Sequence, residues 1–303
     1  MKTLWFIIIL VLLGGIGYAA YLYYQVDTAI GKAGTDDSAP VAKPVHANPV
    51  TVLLLGIDTR PKTGSLNTDV IMVVSLNPER KTASVVSIPR DTLLKVSGYS
   101  QNKANSYYAA FYNSSRKTAD DKTKTLFSKY LNVPIDYVAK IDFKGFEEIV
   151  DRIGGLELNV DMNMCYTDQY DGTSIRLKKG TQVLNGSQTL DFVRYRKGNC
   201  QNAEDSNDIE RNERQQQVIG QMLATLKSPS GLLKLGSVIE AAGDNVDTDI
   251  PSSQIKSFIR TYMDIDRDKI NYVHLEGEWD SPYIIIHSDE LKTAQAALQE
   301  QLQ

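Results

Sequence analysis

Residues 51–91 read T-V-L-L-L-G-I-D-T-R-P-K-T-G-S-L-N-T-D-V-I-M-V-V-S-L-N-P-E-R-K-T-A-S-V-V-S-I-P-R-D, and the order of runs and turns within them decides the fold. Thr51 to Gly56 is a continuous apolar run bounded by Pro49 and Asp58, the pattern of a strand covered on both faces. Val70 to Leu76 is a second such run, Asn77-Pro78-Glu79-Arg80 turns the chain, and Ala83 to Ile88 is a third. If the second strand lies antiparallel to the first, Asp69 at its start falls beside Asp58 at the end of the first. The short turn makes the third strand antiparallel to the second, so Arg90 and Asp91 return to the same edge. Strand ends at such an edge are where α/β folds place ligands. Two carboxylates facing arginines suit a divalent cation with a phosphorylated ligand. Turn-capping aspartates are the plainer reading of Asp58 and Asp69.

A second polar concentration runs from Asp191 to Gln217, D-F-V-R-Y-R-K-G-N-C-Q-N-A-E-D-S-N-D-I-E-R-N-E-R-Q-Q-Q. It holds Arg194, Arg196, Arg211 and Arg214 in a chain of net charge −4. Asn207 followed three residues later by Glu210 is a capping box, which starts a helix just before Asp208. Arg211 and Gln215 lie four apart and share one face of it, with Asp208 one turn earlier. Ile209, Val218, Ile219, Met222, Leu223 and Leu226 follow, and Ser228-Pro229 stops it. A helix N-terminus flanked by guanidinium groups suits a phosphate or pyrophosphate. A solvated face laced with Glu204, Glu210 and Glu213 is the other reading.

Between these stretches come a loop with Lys103 and Asn105, an amphipathic segment around Thr123–Tyr130, and a short strand Tyr137–Ile141. A helix over Phe143–Ile153 ends at Gly154-Gly155, and Leu156–Val160 follows as a strand. Leu184-Asn185-Gly186 introduces another helix leading to Arg194. Ile270–Leu275 and Tyr283–Ile286 are late strands, and Ser288 caps a last helix with Asp289 and Glu290 in its first turn. Strands interleaved with helices, with no internal repeat or second linker, predict one α/β domain over residues 50–303. The expected architecture is an α/β/α sandwich around a central mixed sheet.

Leu4 to Tyr24 is an uncharged run of 21 residues, long enough for a bilayer crossing of roughly 20. Trp5 near one end and Tyr21, Tyr23 and Tyr24 at the other resemble interfacial belts. With Lys2 before the run and Asp27 after it, residues 1–25 are expected to form a cytoplasmic tip and one transmembrane helix, the rest of the chain lying outside. A cleaved signal peptide ending near Ala19 or Ala20 is the alternative. Residues 26–49, with Pro40, Pro44 and Pro49, read as an extended linker. The acidic balance argues against a general nucleic-acid binder. With two cysteines and three histidines, a zinc site is disfavoured and any metal falls to carboxylates. Export and an even count favour a Cys165–Cys200 disulfide over two free thiols.

G-I-D-T-R at 56–60, T-D at 68–69, S-I-P-R-D at 87–91, L-N-G at 184–186, R-Y-R at 194–196 and D-I-E-R-N-E-R-Q at 208–215 together resemble the LytR-CpsA-Psr family. The resemblance covers roughly residues 50–225. It implies an extracytoplasmic bacterial phosphotransferase that moves wall teichoic acid or capsular polysaccharide from a polyprenyl (undecaprenyl) pyrophosphate carrier. The acceptor it implies is a peptidoglycan hydroxyl, C6 of N-acetylmuramic acid, and the product is a phosphodiester. On this chain Asp58 and Asp69 would hold magnesium, or manganese in its place, against the pyrophosphate. Arg90, Arg194, Arg196 and Arg211 would grip its oxygens, Gln215 would donate a hydrogen bond, Lys103 is a further candidate, and Asp208 would orient the arginines. The family pattern places an arginine two residues before the second aspartate; Asn67 stands there, with Arg60 as a substitute donor. The segment between Arg196 and Asp208 is also longer than the family's. A polyprenyl-lipid scaffold without transfer activity, and a transcription regulator, are the competing classes.

Overall fold

The computed structural model describes residues 48–58, 66–168, 172–262 and 265–303, with residues 24, 28, 31, 32 and 34, and not the side chains of 208, 209, 232, 256, 258–260, 262 and 267. Apart from Tyr24, the proposed transmembrane run lies outside the described residues, as does Arg60. Among the described residues, no helix is long and apolar enough to cross a membrane.

Strand β1 (Val50–Ile57) pairs antiparallel with β2 (Thr68–Asn77), which turns into antiparallel β3 (Thr82–Ser87). The turn is set by Asn77, whose side-chain oxygen accepts from the N–H groups of Glu79 and Arg80 at 3.1 and 2.9 Å. Helices α1 (Tyr107–Ser114) and α2 (Arg116–Leu131) carry the chain to β4 (Tyr137–Asp142), which lies parallel to β1. Such a parallel return needs a crossover of this kind. Helix α3 (Phe143–Ile153) is capped by Asp142, which accepts from the Gly145 N–H at 2.7 Å. It ends where Gly154 takes φ 101°, a left-handed turn that glycine adopts without strain.

Strand β5 (Leu156–Val160), the β6 (Met164–Thr167) and β7 (Ser174–Leu177) pair, and β8 (Gly180–Leu184) lead to α4 (Gly186–Arg194). Helix α5 (Asp208–Lys227) begins with the capping box that the sequence predicts, Asn207 and Glu210 bonding reciprocally. Helix α1 was not predicted, and neither were α6 (Pro229–Asn245) and α7 (Ser252–Tyr262). The Ser228-Pro229 pair that ends α5 also starts α6, with Pro229 in its first turn and the Ser228 hydroxyl accepting from Gly231. Strands β9 (Val246–Thr248), β10 (Ile270–His274), β11 (Gly277–Asp280) and β12 (Tyr283–Ile286), and helix α8 (Ser288–Glu300), complete the chain. Ser288 is the first residue of α8 and not its cap; His287 holds the cap position without a side-chain bond.

The central sheet has the order β9-β4-β1-β2-β3-β10 and is mixed: β4 and β10 run parallel to their inner neighbours, the other pairs antiparallel. Leu53, Leu55, Val73, Val86 and Val138 point to one face, where Tyr107, Leu126, Phe127 and Leu298 of α1, α2 and α8 cover them. Val50, Val52, Leu76 and Tyr137 point to the other, against Ile250 and Ile265. Burial on both faces accounts for the unbroken apolar runs in β1 and β2. A second core joins α3, α4, α5 and α6 to β5, β6 and β7 around Val150, Leu158, Phe192 and Val218.

Candidate functional site

A cavity of about 810 Å³ opens where the central sheet meets α4 and α5. One wall is the sheet rim. Ile57 pairs with Thr68, and the Asp58 N–H donates to the Asn67 carbonyl at 3.0 Å, so both aspartates reach the cavity from neighbouring strand ends. Strand β3 delivers Arg90 to the same rim, where it donates to Asp69 at 2.8 Å. Burial works against the Arg90 charge, but Asp69 and Asp91 outweigh it and raise its pKa. The turn carrying Arg90 is fixed by its carbonyl, which accepts from Asn105 at 3.0 Å, and by the Pro89 carbonyl, which accepts from Thr92 at 3.0 Å.

The other wall is helical. Arg194 ends α4 and lies over the Phe143 ring at 4.6 Å; Arg196 and Lys197 follow on the exposed loop; Arg211 and Gln215 project from successive turns of α5. The Gln215 side-chain oxygen is buried and has no hydrogen-bond partner among the described residues. A buried amide oxygen without a donor is costly, so this one suits a ligand's hydroxyl or amide proton. Five cationic side chains, Arg90, Arg194, Arg196, Lys197 and Arg211, thus line one cavity in an acidic chain. That concentration suits a polyanion.

Arg214, grouped with the other arginines in the sequence, does not line the cavity. It is buried and donates from Nε and Nη2 to the two carboxylate oxygens of Asp161, at 2.8 and 2.7 Å, and from Nη1 to the Tyr195 carbonyl at 3.2 Å. It therefore grips the residue between Arg194 and Arg196. The loop beyond is tied down by the Cys165–Cys200 disulfide, which joins strand β6 to the loop, and by Asn199, whose side chain bonds both backbone groups of Thr167. The Tyr195 hydroxyl donates to the Glu204 carbonyl at 2.6 Å.

Two further expectations resolve differently. Lys103 lies behind the rim, its ammonium 2.8 Å from Asp91, and is not a lining residue of the cavity. Asp208 begins α5, but its side chain lies outside the described residues. The sequence reading also missed lining residues. Phe143, Tyr166 and Asn212 are unremarkable in pattern, whereas Asp191 was in view as the start of the arginine stretch. Burial pushes the Asp191 carboxyl up to about 6; Arg194 opposes the shift and Glu147 adds to it. Among the described residues no group of three or more His, Cys, Asp or Glu side chains could hold a metal, so Asp58 and Asp69 stand as a pair.

The LytR-CpsA-Psr family model matches residues 19–301. The chain belongs to the LytR-CpsA-Psr family. Among its relatives is the polyisoprenyl-teichoic acid–peptidoglycan teichoic acid transferase TagU of Bacillus subtilis, 31% identical over 82% of this chain and 78% of that protein. Another is TagV of Bacillus subtilis, with the same activity in its name, 26% identical over 91% of this chain and 71% of that protein. The crystal structure of B. subtilis TagV superposes with a TM-score of 0.66 at 28% identity, covering 84% of this family member and 97% of TagV. The family protein YwtF (TagT), solved with bound octaprenyl pyrophosphate lipid, shares the fold at a TM-score of 0.60 and 22% identity, over 85% of this chain and 92% of that one.

Proposed function

We propose that this chain is a phosphotransferase that moves a glycopolymer, of the wall teichoic acid or capsular polysaccharide class, from a polyprenyl pyrophosphate carrier onto a peptidoglycan hydroxyl. The observation that carries the reading is the single cavity in which Asp58, Asp69 and Arg90 of the sheet rim face Arg194, Arg196, Arg211 and Gln215 of the helical wall. The names of TagU and TagV support the reaction, and the lipid seen in YwtF supports the carrier.

In this reading the arginines take the pyrophosphate oxygens in forked hydrogen bonds, with Gln215 beside them. The acceptor hydroxyl oxygen attacks the phosphorus that bears the polymer. The bond from that phosphorus to the bridging oxygen breaks, and polyprenyl monophosphate leaves with the bridging oxygen. Preorganised guanidinium groups stabilise the charge that builds on the leaving phosphate. The donor set at the rim fits magnesium or manganese: two carboxylates at adjacent strand ends are hard oxygen ligands, too few for a protein-only cage and suited to an ion shared with phosphate. Such an ion, held by Asp58 and Asp69, would neutralise phosphate charge.

The domain is assigned to the outer face of a bacterial membrane, with residues 1–25 as anchor, 26–49 as linker and 50–303 as catalytic domain. The Cys165–Cys200 bond suits that oxidising side. A specific observation favours a second reading, a lipid-binding protein without transfer: Asn67 lines the cavity at the position where an arginine was expected. Incubating the purified protein with polyprenyl pyrophosphate-linked teichoic acid and peptidoglycan strands separates the two. Release of polyprenyl monophosphate together with polymer-modified glycan supports the enzyme; tight lipid binding with no release supports the binding protein.

A further inference from the structure

Four carboxylates line the cavity, those of Asp58, Asp69, Asp91 and Asp191. Asp69 accepts from Arg90, Asp91 accepts from Lys103, and Asp58 also has a partner. Those three side chains are already engaged by other groups of the protein. Asp191 is different: it makes no side-chain hydrogen bond or ion pair among the described residues, and it lines the cavity. It stands on α4 three residues before Arg194, so the two side chains lie on one side of the helix. Arg194 is itself steadied by the Phe143 ring. The carboxyl therefore sits one turn from a guanidinium assigned to the pyrophosphate, without being neutralised by it.

We propose that Asp191 is the general base of the transfer, taking the proton from the acceptor sugar's hydroxyl as its oxygen attacks the phosphorus. The inference rests on the phosphotransferase reading above. The balance is complete within that reaction: the O–H bond of the acceptor breaks, its oxygen bonds to phosphorus, the bond from phosphorus to the bridging oxygen breaks, and polyprenyl monophosphate departs while the proton resides on Asp191. The charged groups acting on the carboxyl are Arg194 of its own helix and Glu147 of α3, and α5 adds Arg211 to the same cavity. Burial is the largest influence and lifts the carboxyl to about 6. A base so placed is ionised at neutral pH yet still basic enough to accept a proton as the bond forms.

The test uses Asp191→Asn and Asp191→Ala in the full chain, with polyprenyl pyrophosphate-linked teichoic acid as donor and peptidoglycan strands as acceptor. For the wild type, the rate should rise with pH and level off above about 6, the ionisation of Asp191. Asp191→Asn should lower kcat by about 100-fold or more and abolish that rise, while affinity for the lipid pyrophosphate stays within about threefold. Added formate, a small diffusible base, should restore part of the Asp191→Ala rate, which a purely structural role would not allow. Transfer by Asp191→Asn within about threefold of wild type, with the same pH dependence, would overturn the inference. So would a parallel loss of lipid affinity and transfer with no rescue by formate, which would make the carboxyl a shaper of the cavity. Both of those results leave the phosphotransferase reading standing. If the wild type binds the lipid but transfers nothing, that reading fails and this inference fails with it.

Discussion

On the sheet side of the cavity, Asp58, Asp69 and Arg90 are neighbours because three consecutive strands pair in register, within 33 residues of chain. On the helical side, Arg194, Arg196 and Arg211 are held by contacts between distant segments: the Arg214–Asp161 fork, the Cys165–Cys200 bond and the Asn199–Thr167 pair. The first wall is a consequence of strand pairing and shares the stability of the core. The second is a loop and a helix end pinned from behind, so its geometry depends on a few specific links.

That contrast can be broken by experiment. The largest effect is expected on removing the disulfide. It closes a loop of 35 residues, for which chain entropy gives up to about 4 kcal/mol, so Cys200→Ser should lower the urea midpoint strongly. An unchanged midpoint would show the loop to be held without it. Next, Arg214→Met should cost about 3 kcal/mol, because it removes the buried guanidinium's two bonds to Asp161 and leaves the buried Tyr195 carbonyl without its donor. The half-exposed Arg90–Asp69 pair is the control: its side chains are 42% and 15% exposed, and Arg90→Met should cost less than about 1 kcal/mol in stability. Equal losses at Arg90 and Arg214 would erase the distinction between the walls.

Arg211→Lys should leave the melting temperature unchanged and slow transfer by about 100-fold, since an ammonium cannot present the planar fork. Normal transfer would remove Arg211 from the pyrophosphate grip. A further effect concerns Asp191. Its folded pKa lies above the ordinary value of 3.8, so between that value and about 6 the folded protein keeps a proton that the unfolded chain has lost. Stability then falls as pH rises through this window. Asp191→Asn should therefore melt higher than wild type at neutral pH, by about 1 kcal/mol after allowing for solvent in the cavity, with no gain near pH 4. A gain of equal size at both pH values would contradict the shifted pKa.

The same contrast explains what could be read from the sequence. The sheet rim was legible because continuous apolar runs and a short Asn-Pro turn mark the three strands, and antiparallel pairing places Asp69 beside Asp58 and returns Arg90 to them. The capping box at Asn207 was equally local, and the start of α5 followed from it. Arg214 was not separable from Arg211, because both sit in one charged run and only tertiary packing turns Arg214 inward to Asp161. Helix α6 escaped notice since Ser228-Pro229 is both a stop and a start signal. Lys103 became a candidate only through the family resemblance, whereas its partner Asp91 holds it behind the rim.

The central claim is that two separately built walls close on one diphosphate. A double-mutant cycle with Arg90→Gln and Arg211→Gln, read as affinity for a polyprenyl pyrophosphate in detergent, tests it most directly. The account predicts a coupling of about 0.5–3 kcal/mol between the two positions, as groups sharing one ligand should show. Losses that add to within about 0.3 kcal/mol would mean that the two arginines do not hold the same molecule.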